Sequence, residues 1–375
     1  MPSVSTVLVV GGGTSGNAIT VLLRRAGIEI DLVETEPGWN IRGSGITLQG
    51  NALRVLREIG VWDQVLEHGF PFNTLGLTAP DGTVLHIADE FPAGGADLPA
   101  TLGMQRPALQ RILTDAVRAS GARVRLGCTV KSLTQDDTGV EVTFDDGATG
   151  RYDLVVAADG RRSATRAMIG ITDRPESLGM GIWRAPAPRP AGVERSDLTY
   201  GGPCYIAGYT PTGDNSIYAL LVERQRDRDS LEHLDLAAEM RRLTDGYGGH
   251  WAQIRESIND PSQVNYTVTD RMLVEGPWHR GRVVLVGDAA HCCPPTLAQG
   301  AAMALEDALV LAELLNTRDT FDEALLTEYH ARRVPRVRLV VDGSVQLCRW
   351  LLDGVADADV PGLMARTMTA LGERP

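Results

Sequence analysis

The sequence has little of what marks a nucleic-acid-binding, membrane-spanning or secreted protein. Its 375 residues carry a formal net charge of −12, which argues against nucleic acid or an anionic membrane as the main partner. No apolar run is long enough to span a bilayer, and the N-terminus lacks the basic segment of a signal peptide. Internal repeats and low-complexity segments are also absent from the sequence. We therefore expect a cytoplasmic protein with no membrane and no nucleic-acid partner.

Cysteines are few, and their spacing forms no pattern. An odd, scattered set of five matches no metal-ligand spacing, so we expect no metal. Reduced thiols are the simplest interpretation and are typical of the cytoplasm. Two of the cysteines are adjacent. Because adjacent cysteines rarely form a disulfide, we interpret these two as buried packing residues and not as a redox pair. The five are Cys128, Cys204, Cys292, Cys293 and Cys348.

Glycine, in contrast, is plentiful and forms a recognisable motif near the N-terminus. The apolar, β-branched run Thr6–Val10 predicts a buried parallel strand, and the pattern Gly11-x-Gly13-x-x-Gly16 follows it without a spacer. In such a motif the first glycine permits a sharp turn, the second lets the backbone approach a pyrophosphate, and the third lets the helix pack closely on its strand. The N–H groups at the start of the helix then face the anion.

An acidic residue completes this motif at the end of the next predicted strand. A helical run to Gly27 and a strand over Ile28–Val33 lead to Glu34, which follows Gly16 by 18 residues. A carboxylate at that position meets the hydroxyl pair of a ribose, and it favours a free 2′-hydroxyl over a 2′-phosphate. The ordered set of strand, glycines, helix, strand and acid predicts that the chain binds FAD or NAD.

A second carboxylate stands in a similar position late in the chain. Asp288 follows the buried strand Arg282–Val286, where an unpaired carboxylate would be costly unless a sugar or polyol hydroxyl bonds to it. The plainer alternative is a cap or turn residue. A helix expected to start near Gln299 has a positive dipole end that would stabilise negative charge on a bound ring. Farther on, a long helix is expected over Pro335–Leu352, and we interpret the arginines at its start as a solvated basic face; they are Arg332, Arg333, Arg336 and Arg338.

Three motifs together resemble the single-component, FAD-dependent aromatic hydroxylases, the group of p-hydroxybenzoate and salicylate hydroxylases. The first is the glycine motif with Glu34. The second is the stretch from Asp153 through Asp159-Gly160 to Arg166. The third runs from Gly281 through Asp288 and His291 to Pro294-Pro295, Gln299-Gly300 and Leu305–Ala308. The sequence departs from the family at Thr35, where a basic residue is frequent, and at Ala298, where a glycine is frequent.

The resemblance implies FAD as the cofactor, with Glu34 on the adenosine ribose and Asp288 on the ribityl chain. The turn residues expected to bind FAD at or beside its pyrophosphate are Gly11, Gly13, Thr14, Ser15 and Gly16. The other expected FAD contacts are Arg42, Gly45, Arg106 near the ribityl phosphate, Val130 at the adenine, Asp159 on the pyrophosphate side, and Pro295, Gly300 and Ala301 along the isoalloxazine.

The resemblance also implies the architecture. A change in the sequence pattern after Gly170 supports it. From there to Thr269, short strands separated by glycine and proline predict a mostly antiparallel sheet. We expect an α/β protein with a Rossmann-like FAD-binding domain, an inserted, mostly antiparallel substrate domain, and C-terminal helices. The expected boundaries are 1–71, 95–172 and 276–330 for FAD binding, 72–94 and 173–275 for substrate, and 331–375 for the C-terminal helical segment.

The implied activity is hydroxylation of a small aromatic or heteroaromatic substrate with O₂ and NADH or NADPH as a transient electron donor, through a flavin C4a-hydroperoxide that must be kept from water. No acid–base pair stands out. His291 is the one candidate base, and we favour a structural role for it. The expected substrate contacts are Leu48, Trp183, Tyr205, Tyr209 and Tyr218, together with Pro295, which is also an expected flavin contact. Ordinary core packing is the alternative for each aromatic residue.

Other functions on the same fold remain open. A reductase or dehydrogenase of the geranylgeranyl reductase type would act without inserting oxygen. A flavin halogenase is disfavoured because the sequence lacks the Trp-x-Trp-x-Ile-Pro signature. A third alternative is a catalytically idle FAD-containing binding protein. The chain is expected to be a monomer or a homodimer.

Overall fold

The computed structural model describes residues 2–39 and 43–375. The strands within these ranges are β1 (Thr6–Val10), β2 (Glu29–Glu34), β3 (Gly45–Gln49), β4 (Gly69–Phe72), β5 (Thr74–Thr78), β6 (Val84–Asp89), β7 (Thr101–Gln105), β8 (Arg123–Leu126), β9 (Val130–Gln135), β10 (Val140–Phe144), β11 (Thr149–Tyr152), β12 (Leu154–Ala157), β13 (Glu176–Pro188), β14 (Ser196–Tyr200), β15 (Ile206–Gly213), β16 (Ser216–Arg224), β17 (Asn265–Leu273), β18 (His279–Arg280), β19 (Val283–Leu285) and β20 (His291–Cys292).

The α-helices within the same ranges follow in chain order. They are α1 (Thr14–Arg25), α2 (Gly50–Ile59), α3 (Trp62–His68), α4 (Arg106–Ala119), α5 (Ala164–Met168), α6 (Leu236–Thr244), α7 (Trp251–Ser257), α8 (Gly300–Thr317), α9 (Glu323–Asp353) and α10 (Val360–Gly372). None of these helices combines the length and apolar character that crossing a membrane requires.

The first sheet is mainly parallel and is built around β1. Its order within the described residues is β18-β19-β12-β1-β2-β8, and only the β18–β19 pair is antiparallel. In β1, Val9 pairs with Leu32 on one side and Val156 on the other. These strands are apolar on both faces because the sheet is covered on both sides, by helices such as α1 and α8 on one face and by the β9–β11 sheet on the other. This arrangement places the turns after β1 and β19 at the same edge.

The second large sheet is mostly antiparallel. Its order within the described residues is β20-β17-β13-β16-β15-β14-β5-β6, with β5–β14 as its parallel pair. One face packs against α6 and α7 through a core that includes Trp183 and Trp251. The opposite face carries Met180 and Ile182, which pack near Cys348 of α9. Alternating side chains of β13 therefore belong to different layers.

The expected fold class is confirmed: an α/β nucleotide-binding part, a largely antiparallel sheet and C-terminal helices are all present. The domain boundaries given above stay a prediction. The long C-terminal helix differs from expectation in its start, because α9 begins at Glu323 and contains Pro335 in its interior. The Asp322 side chain accepts a hydrogen bond from the Leu325 N–H and caps this earlier start.

Candidate active site

The glycine motif turns the chain tightly from β1 into α1. Gly11 has φ +104°, and a Cβ there would lie 2.4 Å from the Ala158 carbonyl oxygen. A Cβ on Gly16 would lie 1.9 Å from the Gly11 carbonyl oxygen, so both positions exclude any side chain. Gly13 differs, because a Cβ there would meet nothing within 4 Å. Gly13 therefore leaves open the space in front of the α1 N-terminus.

A cavity of about 470 Å³ begins at this N-terminus and extends to the start of α8. It collects residues from β3, α4, the turn after β19 and the Pro-Pro segment, which are distant in sequence. The predicted cofactor residues that line it are Gly13, Thr14, Ser15, Gly45, Arg106, Asp288, Pro295, Gly300 and Ala301. The position of the cavity between two helix N-termini suits an elongated ligand with negative charge.

Other predicted cofactor residues do not line this cavity. The Glu34 carboxylate accepts hydrogen bonds from the N–H of Gly12 at 2.7 Å and of Glu36 at 2.9 Å. The Asp159 carboxylate accepts from the Ser163 hydroxyl at 2.5 Å and the Thr165 N–H at 3.0 Å, and so fixes the start of α5. The remaining ones are Gly11 and Gly16 inside the turn, Val130 in a buried apolar cluster, and Arg42, which lies outside the described residues.

Asp288 is the lining residue whose surroundings fit a polyol. Its carboxylate faces the cavity and accepts no hydrogen bond from any residue that the structure describes. The Asp288 side chain is exposed to the cavity, yet desolvation by the surrounding protein raises its pKa, while nearby His291, Arg106 and Arg161 act in the opposite direction. A ligand hydroxyl would satisfy this carboxylate. Gly300 adds room, because a Cβ there would meet nothing within 4 Å. These residues fit the pyrophosphate and ribityl chain of FAD.

Ala298 shows what the departure from the family pattern means locally. It has φ +53° and is the one non-glycine residue with positive φ among the described residues. The left-handed conformation favours glycine, so alanine holds it here at some cost in strain. Ala298 also lines the cavity just before α8. The backbone turn typical of glycine is therefore kept although the residue has changed.

A second cavity of about 340 Å³ adjoins the first. It lies between one face of the antiparallel sheet and the end of α9 with α10, and most of its lining is aliphatic. Three residues line both cavities: Arg184, Tyr218 and Pro295. The two spaces therefore meet at a junction, which we define by these three residues.

Tyr218 is held firmly at the junction. Its hydroxyl is 2.8 Å from the Thr47 hydroxyl oxygen on β3. A Cβ on Gly45 would lie 2.1 Å from the Tyr218 ring, so glycine is needed there for the strand to pass the ring. Gly45 thus serves to bring β3 against the ring, and Tyr218 is the one predicted aromatic substrate contact that lines either of these cavities.

The other predicted substrate contacts lie elsewhere. Leu48 is 1% exposed within the core of the parallel sheet and its helices. The Trp183 indole N–H donates to Glu223 Oε1 at 2.7 Å on the far face of its sheet. The Tyr209 hydroxyl donates to Asp197 Oδ2 at 3.1 Å, and half-buried Tyr205 lines neither cavity. For Trp183 the reason is that successive side chains of a strand point to opposite faces of the sheet. Its neighbours Ile182 and Arg184 line the second cavity instead.

Arg184 is the residue that sequence reasoning missed at this junction. Its Nη1 donates to the Thr267 hydroxyl at 2.8 Å, and no carboxylate pairs with it among the described residues. Burial lowers the pKa of the Arg184 guanidinium, and nearby Arg106 lowers it further. Sequence reasoning could have identified Arg184 from the alternation of side chains along β13. If Trp183 faces away from the ligand, the next residue, Arg184, faces towards it.

His291 belongs to a buried ionic network and does not line either cavity. Its Nε2 lies 2.6 Å from Asp307 Oδ2, which also accepts the Gly287 N–H at 2.8 Å. Arg333 Nε donates to the other oxygen of Asp307 at 2.7 Å. This geometry ties the turn before Asp288 to α8 and α9. It favours a structural role for His291 over a general base.

The interpretation of the α9 arginines as a solvated basic face is wrong for Arg333 and Arg336. Arg333 is fully buried and donates to Glu306 Oε2 at 2.9 Å as well as to Asp307. Arg336 bonds the same Glu306 oxygen at 2.7 Å. The physical reason is that α8 presents two adjacent acids to α9. Only Arg332 and Arg338 form surface pairs, with Glu313 and Glu275.

Acid should destabilise the protein through Asp307. Burial raises the pKa of Asp307, but His291 and Arg333 outweigh it and lower the pKa from 3.8 to about 2. Because the pKa of Asp307 is lower in the folded protein than in the unfolded chain, its charge stabilises the folded state fully at pH values above 3.8, the ordinary pKa. This stabilisation is lost as the pH falls from 3.8 towards 2. We expect about 2 kcal/mol of the free energy of unfolding to disappear in that window. Urea unfolding at a series of acidic pH values measures it.

Asp307→Asn is the matched control for this prediction, because it removes the titrating group and nearly keeps the shape. Its free energy of unfolding should be lower at neutral pH and should fall less steeply in acid. Parallel pH profiles for the two proteins would contradict the role given to Asp307.

Comparison with known proteins agrees with this geometry. The family model described as "FAD binding domain" matches residues 4–344. Aurachin C monooxygenase/isomerase of Stigmatella aurantiaca is 31% identical over 343 residues, which cover 91% of this chain and 88% of that protein. The 2-heptyl-3-hydroxy-4(1H)-quinolone synthase of Pseudomonas aeruginosa PAO1 is 32% identical over 315 residues, which cover 82% of this chain and 80% of that protein.

A solved structure extends the comparison to the cofactor. The Klebsiella pneumoniae protein HpxO, crystallised with FAD and uric acid, superposes with a TM-score of 0.81 at 25% identity, covering 98% of this chain and 92% of that chain. Its fold, the family match over most of the sequence and the monooxygenase relatives agree with a cavity suited to FAD. The chain therefore belongs to the FAD binding domain family and is an FAD-dependent monooxygenase.

Proposed function

We propose that the protein hydroxylates a heteroaromatic ring bound at the junction, with NADH or NADPH as the electron donor. The observation that carries this proposal is that Arg184, Tyr218 and Pro295 line both cavities. A ring held there touches the space that suits the flavin and lies at the entrance of an apolar space. The relatives support a heteroaromatic ring, because one is a quinolone synthase and HpxO was crystallised with uric acid.

The chain's own residues would bind FAD in two places. The α1 N-terminus at Gly13, Thr14 and Ser15 would bind the pyrophosphate, and Asp288 would accept hydrogen bonds from ribityl hydroxyls. Glu34 would exchange its present partners for the adenosine ribose. When bound, FAD supplies the activation of O₂ that allows one oxygen atom to be inserted into the substrate. The α8 N-terminus at Gly300 and Ala301 would stabilise negative charge on the ring system.

Other residues would position the substrate and keep water away. Tyr218 and Pro295 give the junction two apolar surfaces, and the contact with Thr47 fixes the Tyr218 ring. Arg184 lacks a carboxylate partner among the described residues, so its charge is available to an acidic oxygen on the substrate. Exclusion of water matters because it protects the reactive oxygen species from decay.

The test is a screen of heteroaromatic compounds with the purified, FAD-loaded protein. We expect some of them to accelerate NAD(P)H oxidation and to gain one atom of ¹⁸O when the reaction runs under ¹⁸O₂. The reductase alternative would instead give a product with two added hydrogens and no label. If no compound accelerates NAD(P)H oxidation, or if the product never carries label, the proposal fails.

The proposal also includes a location in the cytoplasm. All five cysteines are free thiols, which supports a cytoplasmic location. Whether the protein is a monomer or a homodimer stays a prediction, and sedimentation analysis measures it.

A further inference from the structure

Beyond the junction, the lining of the second cavity is mostly apolar. We call this part the apolar annex and define it by Ile182, Leu198 and Leu220 from the sheet and Leu347, Val355 and Met364 from the C-terminal helices and the loop between them. Among the described lining residues of the second cavity, Arg184 is the one charged side chain, and it stands at the junction end. The annex therefore offers burial to hydrocarbon and almost no partner to a polar group.

The sheet register explains why this surface is continuous. Gly208 pairs with Leu198 on one side and Leu220 on the other. A Cβ at Gly208 would lie 2.5 Å from Leu198 Cδ2, so its missing side chain lets the neighbouring leucine lie over the strand. Arg184 pairs with Leu220 across the next ladder, which puts the aliphatic surface directly beside the junction. A group attached to a ring at the junction can thus pass into the annex.

The far end of the annex reaches solvent. Tyr200 and Val355, which line the second cavity, are 46% and 40% exposed. The annex is therefore a channel with the junction at one end and water at the other. This open end suits a flexible chain better than a second compact ring, because an occupant can extend towards solvent without filling a closed space.

We propose that the natural substrate is a heteroaromatic ring carrying a long aliphatic chain, with the ring at the junction and the chain in the apolar annex. This inference rests on the proposed ring site and adds the substrate class. The annex offers no carboxylate-binding group of its own, so small polar acids leave it unused. The aliphatic chain contributes most of the binding free energy through burial of its methylene groups.

Calorimetric titration of the FAD-loaded protein tests the proposal without any need for turnover. The ligands are 4-quinolone and its 2-propyl and 2-heptyl derivatives, with 6-hydroxynicotinate as a polar monocyclic acid. Burial of each methylene lowers Kd by about fourfold, so heptyl, with four more methylenes, should bind roughly 200-fold tighter than propyl. The heat-capacity change should also become more negative with chain length. Equal Kd values for propyl and heptyl, or tighter binding of 6-hydroxynicotinate, would overturn the proposal.

A variant that fills the annex localises the effect. Leu198→Trp should raise Kd for the heptyl ligand at least tenfold and leave Kd for unsubstituted 4-quinolone unchanged. Leu85→Trp is the matched control, because Leu85 is 66% exposed on edge strand β6. If Leu198→Trp fails to fold, Val355→Asp tests the same point by placing a charge in the annex wall. An unchanged heptyl affinity in the folded variant refutes the chain site.

The outcomes separate this inference from the proposed function. If the heptyl ligand binds tightly but no ring in the screen is hydroxylated, the proposed function fails and the chain site stands. Hydroxylation of chainless rings with no preference for a chain refutes the chain site alone.

Discussion

Replacing Arg333 with methionine is expected to lower the free energy of unfolding by about 3 to 5 kcal/mol. The guanidinium is fully buried and bonds both Glu306 and Asp307, which are also fully buried. Methionine keeps much of the volume but leaves the two carboxylates with less positive charge in a place that water does not reach. Removing one partner of a buried ion pair costs more than the pair contributes, because the other charge stays buried. Denaturant unfolding at neutral pH measures this loss.

Arg332→Met is the matched control for this result. Arg332 is the preceding residue in the same helix, and its partner Glu313 is 51% exposed. Surface pairs of this kind contribute about 0 to 1 kcal/mol. A similar loss in the two variants would mean that the network around Arg333 is not what connects α8 to α9.

Replacing Asp288 with alanine is expected to weaken FAD binding by roughly 10- to 150-fold, the equivalent of one charge-assisted hydrogen bond. Asp288 faces the cavity with no hydrogen-bond donor from the described residues, so its natural partner is a ligand hydroxyl. Thermal stability of the FAD-free protein should hardly change, because the Asp288 carboxylate accepts no hydrogen bond from the described residues. Flavin retention after gel filtration and the Kd for added FAD measure the effect.

Asp270→Asn is the comparison for this variant. Asp270 lines the same cavity, but its carboxylate already accepts a hydrogen bond from Arg161 at 2.8 Å. Its replacement should change FAD affinity far less than that of Asp288. An Asp288→Ala protein that stays yellow and binds FAD normally would remove Asp288 from the cofactor site.

The features that sequence reasoning predicted well depend on local backbone geometry. The turn at Gly11 to Gly16 needs glycine for reasons that lie within a few residues or on the adjacent strand, so the motif reports both the fold and the ligand class. The strand-ending position of Asp288 is equally local, and the structure puts this residue in the cavity with Arg106 and Gly300. Both predictions need only the rule that parallel strands end at a common edge.

The features that it missed depend on which surfaces meet. Trp183 and Tyr209 are aromatic residues of the expected sheet, yet they face α6 and α7 rather than the cavity. Which face of a strand meets the ligand is decided by where the helices pack. Arg333 looks like a surface cation in the sequence because its partners, Glu306 and Asp307, lie in another helix.

The sequence by itself determined that the chain binds a dinucleotide on a parallel α/β sheet, because short-range steric and hydrogen-bonding rules dictate the glycine turn and its acid. The choice of FAD and the full architecture came from the resemblance of three motifs to a known family. Only the tertiary structure decided that Arg184, Tyr218 and Pro295 share a junction and that an aliphatic channel leads away from it. These residues come from β13, β16 and the segment before α8, and nothing in their local sequence encodes their contact. Long-range packing of the sheet against α9 and α10 creates the aliphatic channel. The hydrophobic effect then favours an apolar group as its occupant.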